Sequence, residues 1–335
     1  MPQVLRRDFK VRTADGVNIA VREVRLDGQR GGGIPILLMH GTRIPGISEY
    51  DLPVPNGSLA ETLALAGHDS FIPDARGFGG SDRPREMDQP PGESRPLARC
   101  LEITRDIDAA VDAMRRECGV EKTAMLGWGV GATLLAMYAS LQPEKVSHLV
   151  LYNPLYGGGP DHPRYRGAGL ADPGNPLRFN TAKFGGYNYN SLEMLLDKWD
   201  ESIPIADKDA WRDPAIAKAF IQALSDGDPT THTRNPPSFR SPNGMLEDSF
   251  YIGIGEKLLH ANQVRCKVLI IRPELDYFSR REDVSELQRD LVNAESVEVF
   301  EPAGATHFVL LDRPERGRTE TLARLTQFLR STDGG

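Results

Sequence analysis

Residues that can do chemistry follow four short apolar runs of the sequence. His40-Gly41-Thr42 comes after the first run and Asp74-Ala75-Arg76 after the second, while Asp276 and His307 follow two runs near the end of the chain. In open parallel sheets, ligands bind beyond the carboxyl ends of the strands, so we expect these residues at one edge of a sheet. A histidine whose Nδ1 proton is held by a carboxylate presents Nε2 as a base. These residue types therefore predict proton-transfer chemistry.

The elements that must position these residues alternate between strand and helix patterns. Runs rich in Val, Ile and Leu recur between segments of helical periodicity, which is typical of a mostly parallel sheet flanked by helices. The predicted strands are Phe9–Thr13, Asn18–Leu26, Ile34–Met39, Ser70–Pro73, Thr123–Trp128, Ser147–Tyr152, Lys267–Ile271 and Val297–Phe300. The predicted helices are one capped by Ser58 and ending near Gly67, then Cys100–Cys118, Val130–Leu141, Glu247–Ala261, Glu282–Leu291 and Glu315–Arg330.

The composition changes in the middle of the chain. From Gly157 to about Asn243 the sequence is rich in Pro, Gly, Asn and aromatic residues, and regular alternation resumes only afterwards. We therefore expect one core domain made of residues 1–156 and 246–335, with a cap inserted at residues 157–245.

Four motifs in a fixed order carry a family resemblance. A strand followed by His40-Gly41, the segment Asp74-x-Arg76-Gly77-x-Gly79-x-Ser81, the late Asp276 and the late Gly304-x-x-His307 occur in the order of the α/β-hydrolase family, which the chain resembles over nearly its whole length. The resemblance implies the α/β-hydrolase fold: a mostly parallel central sheet flanked by helices, with an inserted cap domain.

The resemblance also implies roles for individual residues. It makes Asp276 the acid that orients His307, with Glu274 close enough in sequence to replace it, and it makes His307 the base. The backbone amides of Thr42 and Val130 would then form the oxyanion hole. The segment Gly127-Trp128-Gly129-Val130-Gly131 matches the family's nucleophile elbow, a strained turn between a strand and a helix. The nucleophile position is Gly129, which has no hydroxyl, thiol or carboxylate.

Three functions stay open at this point. The first is an acyl hydrolase or transferase for a medium-sized, partly apolar ester, lactone or thioester, in which Gly129 replaces a Ser or Cys nucleophile, either by engineering or naturally. The second is a natural lyase, cyclase or similar enzyme that uses the His307–Asp276 pair directly as a general base. The third is a small-molecule binder without turnover.

Substrate contacts are expected from the strand-end loop, the elbow and the cap. His40, Gly41, Trp128, Tyr156 and Tyr187 are the candidates, because aromatic side chains offer flat apolar area with a polar handle. Three arginines could also hold a carboxylate or phosphate, although such residues more often form a solvated face: Arg164, Arg166 and Arg178.

Several classes of protein are not supported by the composition. The 335 residues hold 40 Lys and Arg against 47 Asp and Glu, a net charge of −7 without long basic runs, so we expect no nucleic-acid partner. Neither a signal peptide nor a membrane segment is predicted, which favours a cytoplasmic location. The 3 cysteines show no C-x-x-C spacing, so neither disulfides nor a zinc site is expected.

A dinucleotide cofactor is not predicted either. The Gly127-to-Ala132 segment matches a G-x-G-x-x-A pattern, but its strand is not the first of the chain, and an acidic residue is missing where the ribose would bind. We therefore expect a cofactor-free enzyme without a metal, whose partner is a small-molecule substrate. Homo-oligomerisation stays open.

Overall fold

Strands alternate with helices along the chain, and eight of the strands join in one sheet. The structure is a computed structural model that describes residues 3–28, 30–166 and 169–330. The strands are β1 (Val4–Arg12), β2 (Asn18–Leu26), β3 (Ile36–Met39), β4 (Ser70–Pro73), β5 (Thr123–Trp128), β6 (Val146–Tyr152), β7 (Ala171–Asp172), β8 (Asn175–Phe179), β9 (Tyr187–Ser191), β10 (Ser238–Pro242), β11 (Lys267–Ile271) and β12 (Ser296–Phe300). The main sheet has the order β1-β2-β4-β3-β5-β6-β11-β12.

All pairs in this sheet from β4 to β12 are parallel, whereas β1 and β2 pair antiparallel at one edge. The residues of β3, β5 and β11 are all buried. Parallel strands covered by helices on both faces are apolar throughout, because each face packs against a core. Met125 belongs to the core on one face of the sheet and Leu126 to the core on the other. The predicted fold class is confirmed.

Helices cover both faces of the sheet and build the insertion. They are α1 (Gly46–Tyr50), α2 (Leu59–Leu65), α3 (Cys100–Cys118), α4 (Val130–Leu141), α5 (Pro163–Arg166), α6 (Thr181–Phe184), α7 (Met194–Ser202), α8 (Pro214–Asp226), α9 (Gly244–Gly253), α10 (Arg281–Asp290) and α11 (Thr319–Leu329). The hydroxyl of Ser58 accepts a hydrogen bond from the amide of Glu61 at 2.9 Å, as its predicted cap requires. The C-terminus of α3 is capped by Gly119, whose φ is 68°.

Three predicted elements differ from the structure by more than two residues at one end or both. The first strand begins at Val4 instead of Phe9, because its antiparallel pairing with β2 continues to the end of the hairpin. Helix α9 ends at Gly253, since Gly255 with φ 101° cannot continue a helix, and the predicted stretch to Ala261 is not helical. Helix α11 begins at Thr319, because Gly317 with φ 92° interrupts the helical geometry before it.

The segment between β6 and β11 lies outside the main sheet. It forms two small antiparallel sheets, β7–β8 and β9–β10, together with α5 to α9. Both small sheets fall inside the predicted cap range 157–245, while α9 crosses the predicted end of that range. Among the described residues, none of the helices combines the length and apolar character that crossing a membrane requires.

A buried ion pair stabilises the insertion. The Asp228 carboxylate, whose side chain is 1% exposed, accepts hydrogen bonds from Arg240 Nε at 3.0 Å and from the Thr230 hydroxyl at 2.8 Å. Burial alone would raise the pKa of Asp228, but these hydrogen bonds outweigh it and hold the pKa well below its usual value. A carboxylate with a lowered pKa stabilises the folded state above its unfolded-state pKa of about 4, and that contribution is lost as the pH falls.

We expect Asp228→Asn to lower the free energy of unfolding by about 3–5 kcal/mol at pH 7, because the variant leaves Arg240 buried without its partner. The difference between the variant and the original chain should shrink as the pH falls below about 4. Urea unfolding at several pH values measures both effects. Asp226→Asn is the matched control, since Asp226 is exposed and contacts only Gln222. Equal losses in the two variants would contradict this assignment.

Candidate active site

Five residues from different strand ends converge at the carboxyl edge of the sheet. Gly41 follows β3, Gly129 follows β5, Asn153 follows β6, Asp276 follows β11 and His307 follows β12. Because β3, β5, β6, β11 and β12 are parallel neighbours, residues just beyond their ends must meet at one edge. The sequence prediction of a site at this edge rests on the same geometry.

The His307 and Asp276 side chains form a buried pair. His307 Nδ1 lies 2.8 Å from Asp276 Oδ1. The same carboxylate accepts the backbone N–H groups of Phe278 at 2.8 Å and Ser279 at 3.2 Å, which fixes its orientation. Glu274, the alternative partner, is exposed and accepts the N–H of Gly304 at 2.7 Å instead. The acid in contact with His307 is therefore Asp276.

The second ring nitrogen of His307 also has a partner. The indole N–H of Trp128 donates to His307 Nε2 at 3.0 Å. Trp128 is held for this contact by edge-on packing against the rings of Tyr152 and Phe308. With Nδ1 donating its N–H to Asp276, the lone pair of Nε2 accepts the hydrogen bond from the indole. Trp128 was predicted as a substrate contact, and its bond to His307 is a feature that sequence reasoning missed.

Two residues at the end of β6 hold the backbone of His307. The Tyr152 hydroxyl donates to the His307 carbonyl at 2.5 Å, and Asn153 Nδ2 donates to the same oxygen at 3.0 Å. Asn153 has φ 55°, a left-handed conformation that asparagine tolerates better than most residues. Neither residue was predicted at the site, although an asparagine directly after a buried strand is a signal that could have been used.

The elbow keeps its shape with glycine at the centre. Gly129 has φ 60° and ψ −117°, and its N–H donates to the Tyr152 carbonyl at 2.8 Å. A Cβ added to Gly131 would lie 2.4 Å from the carbonyl oxygen of His40, so this flanking glycine is required for close packing. A Cβ added to Gly129, in contrast, would have ring atom Cε1 of Phe278 at 3.4 Å as its nearest neighbour. The nucleophile position is open.

Two backbone amides beside Gly129 are free to donate. Among the residues that the structure describes, no acceptor contacts the N–H of Thr42 or of Val130. Val130 is the first residue of α4, where backbone N–H groups have no intrahelical partner. Gly41, next to Thr42, instead donates its N–H to Glu49 Oε2 at 3.0 Å. The two predicted oxyanion-hole amides therefore both remain available.

Glu49 is a buried acid that sequence reasoning missed. It lies on the short helix α1, is 4% exposed and lines the cavity next to Gly41. Burial raises the pKa of the Glu49 carboxyl well above its usual value, which the N–H of Gly41 only partly offsets. Burial therefore favours the uncharged form of this carboxyl. A helix of five residues has too little periodicity to mark this position in the sequence.

The cavity above these residues has a volume of about 80 Å³. Pockets for drug-sized ligands measure roughly 300–1,000 Å³, so this cavity accommodates only a small group of atoms. Its apolar wall is formed by Ile44, Tyr165, Leu195, Phe220, Leu246, Tyr277, Phe278 and Phe308. Its polar lining includes Thr42, Arg43, Glu49, Arg164, Ser249 and His307.

Three of the predicted substrate contacts lie elsewhere, while Gly41 and Trp128 line the cavity. His40 is fully buried and accepts the N–H of Ala75 at its Nε2, so it braces the loop after β4. The Tyr156 hydroxyl donates to Asp290 at 2.9 Å.

Tyr187 also points away from the cavity, because its hydroxyl is placed at 2.8 Å from the Gln89 carbonyl. Arg164 lines the cavity, whereas Arg178 pairs with Asp172 at the surface, and the side chain of Arg166 lies outside the described residues. Within the described ranges, no group of three or more His, Cys, Asp and Glu side chains is placed to hold a metal ion.

The class of this protein follows from its fold, from the residues at its strand ends and from the elbow around Gly129. The sequence profile of the family described as "alpha/beta hydrolase fold" matches residues 34–314, and the chain belongs to that family. It is 24% identical over 148 residues to lipase member M of Homo sapiens, which covers 43% of this chain and 35% of the lipase. It is 30% identical over 119 residues to the poly(3-hydroxyalkanoate) polymerase subunit PhaC of Haloferax mediterranei, covering 35% of this chain and 21% of that protein. The chain thus spans about a third or less of each of these relatives.

Solved structures are similar over almost the whole chain. The E-2-(acetamidomethylene)succinate hydrolase superposes with a TM-score of 0.62 at 17% identity, covering 98% of this chain and 100% of the hydrolase. The thioesterase domain from the curacin biosynthetic pathway gives 0.60 at 13% identity, covering 98% and 100%. An esterase from Thermogutta terrifontis gives 0.59 at 15% identity, covering 97% and 98%. At these identities the similarity supports the fold alone.

Proposed function

We propose that this chain hydrolyses a small ester, lactone or thioester without forming an acyl-enzyme. The observation that carries the proposal is the pair of free amides, Thr42 and Val130, beside an oriented histidine and an empty nucleophile position. An oxyanion hole needs only backbone donors, and a water molecule can take the place of a side-chain nucleophile. The cavity volume of about 80 Å³ suits a short acyl group, with the rest of the substrate outside.

In the proposed mechanism, water attacks the carbonyl carbon as His307 Nε2 takes one of its protons. The carbonyl oxygen becomes negative and accepts hydrogen bonds from Thr42 and Val130, while Asp276 stabilises the protonated imidazole. The tetrahedral intermediate then collapses and the C–O or C–S bond breaks. The proton on Nε2 passes to the departing oxygen or sulfur, so the products are a carboxylic acid and an alcohol or thiol.

A second candidate function is binding of a small molecule without turnover. The observation that favours it is the Trp128 indole N–H, which occupies the Nε2 lone pair that the mechanism needs. In the hydrolase, substrate binding must displace this hydrogen bond. In a binder it would persist, and His307 would serve as part of the cavity wall.

Trp128→Phe separates these two functions. For the hydrolase, we expect this variant to raise ester turnover about 2- to 10-fold, because a neutral hydrogen bond of about 0.5–1.5 kcal/mol no longer has to be broken. The phenyl ring keeps much of the packing against Tyr152 and Phe308. The measurement is release of 4-nitrophenol from 4-nitrophenyl acetate, which should be linear from the first turnover.

Trp199→Phe is the matched control, since its indole donates to Asp312 at 2.7 Å and not to His307. It should leave turnover unchanged. If neither the original chain nor folded Trp128→Phe exceeds the uncatalysed rate on esters, lactones and thioesters, the hydrolase proposal is wrong and the binding function takes its place.

A further inference from the structure

Two arginines in the cavity lack a carboxylate partner among the residues that the structure describes. Arg43 Nη1 donates to Asn190 Oδ1 at 3.2 Å and approaches Met194 Sδ at 3.5 Å, while its other N–H groups make no recorded bond. The guanidinium of Arg164 lies over the rings of Tyr277 and Phe278, with its carbon 5.8 Å from each ring centre. Arg240, an arginine of similar burial in the insertion, is in contrast paired with Asp228. Within the described part of the chain, neither of these two guanidinium groups in the cavity is thus paired with a carboxylate.

The charge of the cavity is positive although the chain carries a net charge of −7. Among the described residues of the lining, two arginines face a single carboxyl, Glu49, whose charged form is disfavoured by burial. Burial, together with the positive charge of Arg164, lowers the pKa of Arg43 to about 10. The two guanidinium groups thus repel each other, a situation that a bound anion would relieve.

The ring of Phe278 relates the position of Arg164 to the proposed reaction centre. The guanidinium carbon of Arg164 is 5.8 Å from the ring centre of Phe278. The same phenyl ring lies 5.7 Å from the His307 ring and 3.4 Å from the Cβ position of Gly129. The guanidinium and the point where a carbonyl carbon would be attacked therefore both lie against the same aromatic ring.

We propose that Arg43 and Arg164 bind the carboxylate of a short dicarboxylic acyl group whose second, esterified carbonyl lies at Gly129. The forked N–H groups of arginine match the two oxygens of a carboxylate, and the apolar wall of the cavity suits the methylene chain between the two ends. The substrate class is thus a monoester or monothioester of a small dicarboxylic acid. The esterified end rests on the proposed function, whereas the binding of the free carboxylate does not.

Binding of glutarate tests the proposal without any turnover. Isothermal titration of the full chain should show glutarate binding at least 10-fold more tightly than glutaramide, its uncharged diamide, and more tightly than inorganic phosphate. Arg43→Gln and Arg164→Gln should each weaken glutarate binding at least 10-fold and leave glutaramide unchanged. Arg178→Gln is the control, because Arg178 is an exposed arginine paired with Asp172, and should bind like the original chain.

Equal affinity for glutarate and glutaramide, tighter binding of phosphate, or unchanged glutarate binding in both glutamine variants would overturn the proposal. If a glutamine variant does not fold, the lysine variant at the same position replaces it. Lysine keeps the positive charge but lacks the forked N–H groups of arginine, so this variant should bind glutarate several-fold more weakly than the original chain. The two proposals fail separately: ester turnover with no glutarate preference removes only the carboxylate site, and glutarate binding with no turnover removes only the hydrolase.

Discussion

Gly129→Ser should hydrolyse 4-nitrophenyl acetate at least about 100-fold faster than the original chain and show a burst of product in the first turnover. Losing the nucleophile of a hydrolytic triad costs about 10⁶ in turnover, while binding and the oxyanion hole still give about 10³–10⁴ over the uncatalysed reaction. His307 contacts Asp276, and among the described residues no acceptor contacts the N–H of Thr42 or Val130, so the proposed base and the proposed oxyanion donors are in place. Stopped-flow absorbance measures the burst, and mass spectrometry detects the acyl group on Ser at position 129.

The serine hydroxyl must compete with Trp128 for a hydrogen bond to His307 Nε2. Adding Trp128→Phe to Gly129→Ser should therefore raise the turnover of the serine variant further. Gly129→Ala is the control, because it places the same Cβ 3.4 Å from Phe278 without a hydroxyl. It should show no burst. If the serine and alanine variants behave alike while both are folded, the elbow does not present a side chain to the carbonyl site, and the oxyanion-hole assignment to Thr42 and Val130 is wrong.

Asp276→Asn is expected to lower the turnover number by about 10²–10⁴-fold, in the original chain and in Gly129→Ser alike. An amide at this position can turn its NH₂ group toward His307 Nδ1, which favours the wrong tautomer and removes the charge that stabilises the imidazolium. The N–H groups of Phe278 and Ser279 both require an acceptor at residue 276, so the Asn side chain cannot satisfy all its neighbours. The measurement is the turnover number at saturating 4-nitrophenyl acetate.

Glu274→Gln is the matched control for that experiment. Glu274 is two residues away and contacts Gly304, not His307, so its amide variant should retain nearly full turnover. A larger loss in Glu274→Gln than in Asp276→Asn would mean that the loop after β11 rearranges and that Glu274 orients the histidine.

The fold was predictable from the sequence because its signals are local. A serine followed three residues later by glutamate predicts the start of α2, and a continuous apolar run predicts a strand buried on both faces, as Thr123–Trp128 shows. The glycine spacing of the elbow has an equally local cause, since Gly131 packs directly against the His40 carbonyl. Such features depend on residues that are neighbours in the chain, or on a single close contact between two backbone segments.

The direction in which a side chain points was not predictable in the same way. The sequence places His40 at a strand end, but only the fold brings the N–H of Ala75 to its Nε2. Tyr187 was expected in the cavity because it is aromatic and lies in the insertion. The pairing of β9 with β10 decides instead that its hydroxyl meets Gln89. The Trp128–His307 bond joins residues 179 positions apart, and a sequence pattern carries no information about such a contact.

The backbone conformation of Gly129 also affects how the chain can change. At φ 60° a residue with a side chain is strained. Holding a non-glycine residue in such a backbone conformation costs of order 1–3 kcal/mol of folding free energy, which the packing of the surrounding structure must offset. Glycine adopts the same turn without that strain. The trade-off between stability and activity that restrains many active sites is therefore relaxed here. Outside its tightly packed glycines Gly127 and Gly131, the elbow should therefore tolerate a destabilising substitution better than the elbow of a chain that carries a side chain at position 129.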